Sequence, residues 1–220
     1  MINNLKSQEL ANVTDNLNLR EPQRTYYKLV QTWSKEGTER EVSAVLPVGA
    51  GKTGCIALTP LALNPKRTLI ITPDLRIKRQ MLENCDPKHP ENFYLKCQVL
   101  DASELPKVVE LYGSVSTYEE LEAAEIVVTN IHQLNKRTGG WLSRLPDDFF
   151  DLMLFDEAHH NPAPSWKALR EHFKNAKIVN LSATPERADG DVMIGELIYQ
   201  YPISRAIAAG HSKSIECFSV

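Results

Sequence analysis

The sequence predicts an α/β domain built on a mostly parallel sheet with helices on both faces. Short runs rich in Val, Ile and Leu are nearly unbroken, as strands buried on both faces are. Amphipathic stretches opened by glycine or proline separate them, and strands that alternate with helices pair in parallel. The 220 residues are 42% hydrophobic and 24% charged, the composition of one large globular domain with a substantial core.

The first ~18 residues are polar with scattered Leu and Val and read as loosely ordered. Strands are expected over Val42–Val48, Thr68–Thr72, Glu125–Thr129, Leu152–Phe155 and Lys177–Leu181. Helices are expected over Lys52–Leu63, straight after glycines, over Asp74–Asn84, after Thr72-Pro73, and over Ser165–Phe173, after Pro162 and Pro164. Between Asp86 and Glu122 the pattern is weaker: Phe93–Leu100 reads as a further strand and the rest as a helix and loops. The divisions that follow are 1–40, an amino-terminal extension with a helix, 41–205, the α/β domain, and 206–220, a linker or the start of another domain.

Charge and cysteine usage exclude several classes. A net charge of −3 from 25 basic and 28 acidic residues is not that of a polycation, so any contact with nucleic acid is regional. The four cysteines form no C-x-x-C pair and read as reduced thiols of a cytoplasmic protein. Cys85, His89 and Cys97 are the only metal-like cluster and lack structural-zinc spacing. The amino terminus lacks the order of a signal peptide, and no run approaches the ~18 apolar residues of a membrane span.

Three segments carry chemistry. In Leu46-Pro-Val-Gly49-Ala50-Gly51-Lys52-Thr53 a strand runs through a glycine turn into a helix whose first amides have no carbonyl partners of their own. Those amides would surround a phosphate, Lys52 would neutralise β and γ oxygens, and the Thr53 hydroxyl would complete a magnesium shell. The plainer reading is a glycine turn with an incidental lysine. Asp151–Phe155 then delivers Asp156 and Glu157 to the carboxyl end of a strand, where open α/β sheets bind ligands. Asp156 would hold the metal, and Glu157, pointing elsewhere, would polarise an attacking water; the alternative is an acidic helix start. Ser182-Ala-Thr184, again after an apolar run, offers hydroxyls that could reach the 156–160 loop, or is simply a strand end and a turn.

Together, Gly49–Thr53, Asp156-Glu-Ala-His159 and Ser182-Ala-Thr184 resemble motifs I, II and III of superfamily 2 helicases and translocases. Leu19-Arg20-Glu-Pro-Gln23 is similar to the family's upstream adenine-sensing element, which implies that Gln23 and Arg20 meet the base of ATP. Thr72-Pro73-Asp74-Leu75 with Gln80 resembles motif Ia, and Val128-Thr129-Asn130 with His132 resembles the later loop that touches a nucleic-acid backbone. Asp156–His160 with Ser182–Arg187 looks most like the branch of restriction-enzyme helicase subunits and related repair helicases, which tips the expected partner to DNA. The resemblance implies a RecA-like P-loop NTPase fold, ATP and Mg2+ as cofactors, and His159, Ser182 and Thr184 as coupling residues. It covers about residues 19–215, so the family's second RecA-like domain, with the arginines it lends to the γ-phosphate, is expected from a longer chain or a partner subunit. A rival reading is a stand-alone nucleotide-gated interaction module that never moves along nucleic acid. An arginine supplied across the cleft is worth ~10³–10⁵ in rate, so this domain by itself is expected to hydrolyse ATP weakly.

Lys66, Arg67, Arg76, Lys78 and Arg79 set five positive charges against Asp74. Arg76 and Arg79, three apart, suit a phosphate track insensitive to sequence, or a solvated helix face. Trp33, Trp141 and Trp166 are not interleaved with basic residues and read as packing.

Overall fold

The computed structural model describes residues 11–73, 75–113, 115–134, 140–157, 163–184 and 194–212. In chain order the elements are α1 (Glu21–Glu36), β1 (Glu41–Val45), α2 (Lys52–Leu63), β2 (Thr68–Thr72), α3 (Leu75–Cys85) and α4 (Phe93–Lys96). They continue with β3 (Val108–Glu110), α5 (Tyr118–Glu122), β4 (Ile126–Asn130), α6 (Ile131–Leu134), β5 (Leu152–Asp156), α7 (Ala163–His172), β6 (Lys177–Ser182), β7 (Glu196–Gln200) and α8 (Ile203–Ala208). The strands form one sheet in the order β3-β4-β2-β5-β6-β1-β7, every pair parallel. Alternate residues feed cores on opposite faces: Ile70, Val128 and Leu154 point to one, and Leu69, Ile71, Val127, Met153 and Phe155 to the other. That two-sided burial is why the strands read as unbroken apolar runs.

α1 starts where the Gln23 side chain accepts from the Arg20 amide at 2.9 Å, and it ends at Gly37. Its Tyr26, Val30 and Trp33 share one buried face, turned toward α2. α2 is buried nearly all round from Gly54 to Ala62 because it lies between the sheet, α1 and α4. At the opposite edge Arg67, 4% exposed, donates to the carbonyls of Ala124, Phe149 and Glu122 and stacks 4.1 Å over Phe149. It is a staple at the amino ends of the strands, not part of a basic surface. The three tryptophans are buried; Trp141 donates to Gly113 O at 2.7 Å and Trp33 to Glu39 O at 2.9 Å.

Three expectations are corrected. Phe93–Leu100 is not a strand: the Asn92 side chain accepts from Leu95 N at 3.0 Å and caps the single turn of α4, after which Gln98 reverses the chain at φ +52. The residues before α1 that are described, from Ala11, are not loose. Val13 and Leu19 are buried, and the Asn16 amide donates to Asn12 O and Cys97 O, both at 2.8 Å, so asparagine here ties segments together. The sheet also has two further strands, β3 and β7, which are short or half-exposed edges with weak apolar signal. The expected helix start at Asp74, the 158–162 loop and residues 213–220 lie outside the described residues.

Candidate nucleotide site

Parallel register brings the carboxyl ends of three strands together. Val45 pairs with Ser182 and Asp156 with Leu181, so β1, β6 and β5 end side by side where the chain leaves β1 for α2. The turn between them is left-handed at Gly49 (φ +89) and Gly51 (φ +96), conformations glycine adopts at little cost. Its carbonyls are held from outside. Arg20 donates to Gly49 O, Gln23 Nε2 to Gly51 O at 3.0 Å, and Ser212 Oγ to Val48 O at 2.5 Å. With the carbonyls taken up, the first amides of α2 are left to face an anion.

Lys52 opens α2 and turns to the two acids. Its Nζ lies 3.0 Å from Asp156 Oδ1 and also meets Glu157 Oε1. Asp156 is 4% exposed. Glu157 has φ +52, a strained left-handed conformation for a non-glycine residue, of the kind that clusters at functional sites. Both carboxylates therefore converge on the lysine, where the sequence reading had Glu157 pointing elsewhere. Burial lowers the Lys52 ammonium from its ordinary value, and the Asp156 charge opposes that shift.

Gly51, Lys52, Thr53, Gln23, Asp156 and Glu157 line one cleft of about 570 Å³. Arg20 and Gly49 line it too, whereas Ala50 is buried beneath the turn. Ser182 is fully buried at the end of β6; its carbonyl accepts from Leu46 N at 2.9 Å and its hydroxyl from Thr184 N at 3.2 Å. His159 lies outside the described residues.

The nucleic-acid candidates are placed less uniformly. Thr72 and Asn130 pair at the ends of β2 and β4, Thr72 donates to Thr129 O at 3.2 Å, and Pro73 follows β2. The two arginines of α3 are engaged differently: Arg76 and Gln80 line the same cleft, while Arg79 pairs with Glu83 at 3.0 Å. Lys78 is buried and bound to Glu110 at 2.5 Å, so it is not on an exposed track. Residues that sequence reasoning did not reach include Phe93 and Lys96, in the cleft wall, and Ser212. Only the side chain of Asn92 signalled the turn that brings Phe93 there.

A parallel sheet of this order, with a glycine turn, a lysine and paired acids at one edge, defines a RecA-like domain of the superfamily 2 helicase and translocase class. Residues 16–187 match the family described as type III restriction enzyme, res subunit, and the chain belongs to that family. It is 28% identical over 196 residues to the DNA 3'-5' translocase XPB2 of Sulfurisphaera tokodaii, covering 86% of this chain and 37% of that protein. Among solved structures, a hypothetical ATP-dependent RNA helicase from Sulfolobus tokodaii aligns with a TM-score of 0.58 at 22% identity, covering 85% of this chain and 54% of that one. The type ISP restriction-modification enzyme LlaGI, solved with a DNA substrate mimic, aligns at 0.57 and 14% identity, covering 89% and 21%. The chain thus spans about a third of that translocase's length. Among the described residues no helix is long and apolar enough to cross a membrane.

Proposed function

We propose that this chain is the ATP-binding first motor domain of an ATP-dependent helicase or translocase that acts on DNA. The observation that carries the reading is Lys52, held at the mouth of the glycine turn by Asp156 and Glu157. In this reading the amides of Gly51, Lys52 and Thr53 cradle the phosphates, the Ala50 amide being taken by Pro47 O at 3.0 Å, and Lys52 leaves the acids for the β and γ oxygens. Thr53 and Asp156 fit Mg2+ by chemistry, a hydroxyl and a buried carboxylate beside one cleft being hard oxygen donors. Bound Mg2+ and ATP supply the reactive phosphoryl group and part of its charge neutralisation.

Glu157 orients and deprotonates water, Gln23 and Arg20 sense the base, and Ser182 and Thr184, with His159, transmit the state of the site. Thr72, Thr129 and Asn130, 1%, 0% and 5% exposed, fix the ends of β2 and β4, and Pro73, where the chain leaves β2, meets the phosphate backbone. Arg79 adds a surface charge beside them, and Arg76 acts from the cleft wall. The arginines that complete hydrolysis come from a second RecA-like domain or a partner subunit, so the domain alone turns over slowly. A relative named as a DNA translocase and a fold neighbour solved with a DNA mimic support DNA as the partner.

Calorimetric titration with ATP and Mg2+ tests the reading. Binding by the wild-type chain, weakened at least ~10-fold in Lys52→Ala by loss of a charge-assisted contact, is the expected result. Equal affinity in the two proteins contradicts it.

A further inference from the structure

Three side chains hold carbonyls of the glycine turn. Arg20 and Gln23 take Gly49 O and Gly51 O, and Ser212, 164 residues on from Val48, takes Val48 O at 2.5 Å. The Val48 side chain is 80% exposed, so at this end of the turn packing does not set the backbone and the hydroxyl does. The segment that carries Ser212 is itself fixed. α8 ends at Gly210, left-handed at φ +68; a methyl group there would meet nothing within 4 Å among the described residues, so the backbone angle and not a lack of space calls for glycine. The reversal returns the His211 and Ser212 amides to Ala206 O, at 2.8 and 3.2 Å, and Ala206 is fully buried. His211 O is thereby brought against Gly49, and the Ser212 hydroxyl against Val48 O.

A peptide unit is planar and trans, so fixing its carbonyl fixes the direction of its amide. Ser212 in this way sets the unit between Val48 and Gly49, where the turn begins, and Gln23 sets the unit between Gly51 and Lys52, whose amide belongs to Lys52. Glycine by itself offers little resistance to rotation of these units. We propose that Ser212 is a positioning residue for the phosphate turn, and that residues 209–212 form a clamp whose grip and the occupancy of the site rise together. The proposal rests on the nucleotide reading above and adds a means of regulation to it. The clamped turn is the shape that takes the triphosphate, so linkage requires the triphosphate to tighten the clamp by the same factor as the clamp tightens binding. Whatever displaces the chain beyond Ser212 then loosens the hold on the phosphates.

The 220-residue chain is titrated with ATP in the presence of Mg2+. Ser212→Ala is expected to lose ~2- to 10-fold in affinity, the worth of one neutral hydrogen bond, and Ser212→Thr, which keeps the hydroxyl, to retain wild-type affinity. In hydrogen exchange, the amides of Gly210, His211 and Ser212 are expected to gain protection when ATP is added to the wild type, and to gain none in Ser212→Ala. A hydroxyl that only stabilised the fold would lower Tm in Ser212→Ala and leave both the affinity and the response of these amides to ATP as in the wild type. Affinity in Ser212→Ala equal to or tighter than wild type, a loss in Ser212→Thr as large as that in Ser212→Ala, or exchange at 210–212 indifferent to ATP in the wild type overturns the proposal and leaves the nucleotide site standing. A wild type that does not bind ATP overturns the nucleotide reading, and this proposal with it.

Discussion

The backbone carbonyl of His211 sits against Gly49, so closely that a methyl group on Gly49 would overlap it. One residue on, Ser212 donates to Val48 O. The segment after α8 therefore rests directly on the turn that would hold the phosphates, and the turn is braced by both ends of the described chain: Arg20 and Gln23 from one side, 211–212 from the other.

Gly49→Ala is accordingly expected to fail twice, once for its φ of +89 and once for the His211 carbonyl. The strain costs about 1–3 kcal/mol. Thermal unfolding should show a Tm lower by several degrees, and titration should show lost ATP binding. An unshifted Tm with normal binding would mean that the turn is shaped by something other than these contacts.

Glu157→Gln keeps the shape of the side chain and removes the base. It also removes one of the two charges that hold Lys52. ATP affinity is expected to be equal to or higher than wild type, and phosphate release, measured with DNA and the completing second domain present, to fall ~10²- to 10⁴-fold. Normal turnover in this variant would exclude Glu157 as the general base.

Away from the cleft, Arg170 Nη2 lies 2.5 Å from Glu41 Oε1, with each side chain 16% exposed, and Asn180 Nδ2 donates to the same oxygen at 2.7 Å. The cluster joins α7 to β1 and β6. Arg170→Ala removes the guanidinium hydrogen-bonded to Glu41 and is expected to cost about 3–5 kcal/mol in urea unfolding, with ATP binding retained below the transition. A loss within a few tenths of a kcal/mol would show that solvent already satisfies the carboxylate.

Cys97 gives a pH-dependent reading of the cleft it lines. Burial raises its thiol above the ordinary value, so less thiolate is present at pH 8 than in a free cysteine. In a Cys217→Ser background, maleimide labelling of Cys97 is expected to be slower than that of a free thiol at pH 8, to accelerate as pH rises through the raised value, and to slow again when ATP and Mg2+ are added. Cys55 and Cys85 are buried, and burial pushes Cys85 up to about 12. Labelling as fast as a free thiol and indifferent to ATP would place Cys97 outside the cleft.

The central strands and their site were legible for one physical reason. Strands buried on both faces, such as Leu69–Ile71 and Leu152–Phe155, must be apolar throughout, and a phosphate turn needs glycine and lysine at set intervals. Edge strands are under neither constraint. β7 exposes Glu196 and Leu197 and buries little, so Glu196–Gln200 carried no strand signal. α4 was missed because a lone side-chain cap, Asn92 to Leu95 N, outweighs the β propensity of Phe93 and Tyr94. Proximity in sequence also misled: Lys66, Arg67, Arg76, Lys78 and Arg79 look like one basic strip, yet burial takes Arg67 and Lys78 out of it. That Glu157 turns back on Lys52 depends on one backbone angle that no residue pattern encodes.

The most direct measurement is a crystal structure of the chain with a non-hydrolysable ATP analogue and Mg2+. The account predicts phosphate density against the amides of Gly51, Lys52 and Thr53, with Lys52 Nζ drawn away from Asp156 onto the β and γ oxygens. An analogue bound elsewhere, or Lys52 still locked to both carboxylates with the analogue in the cleft, would contradict it.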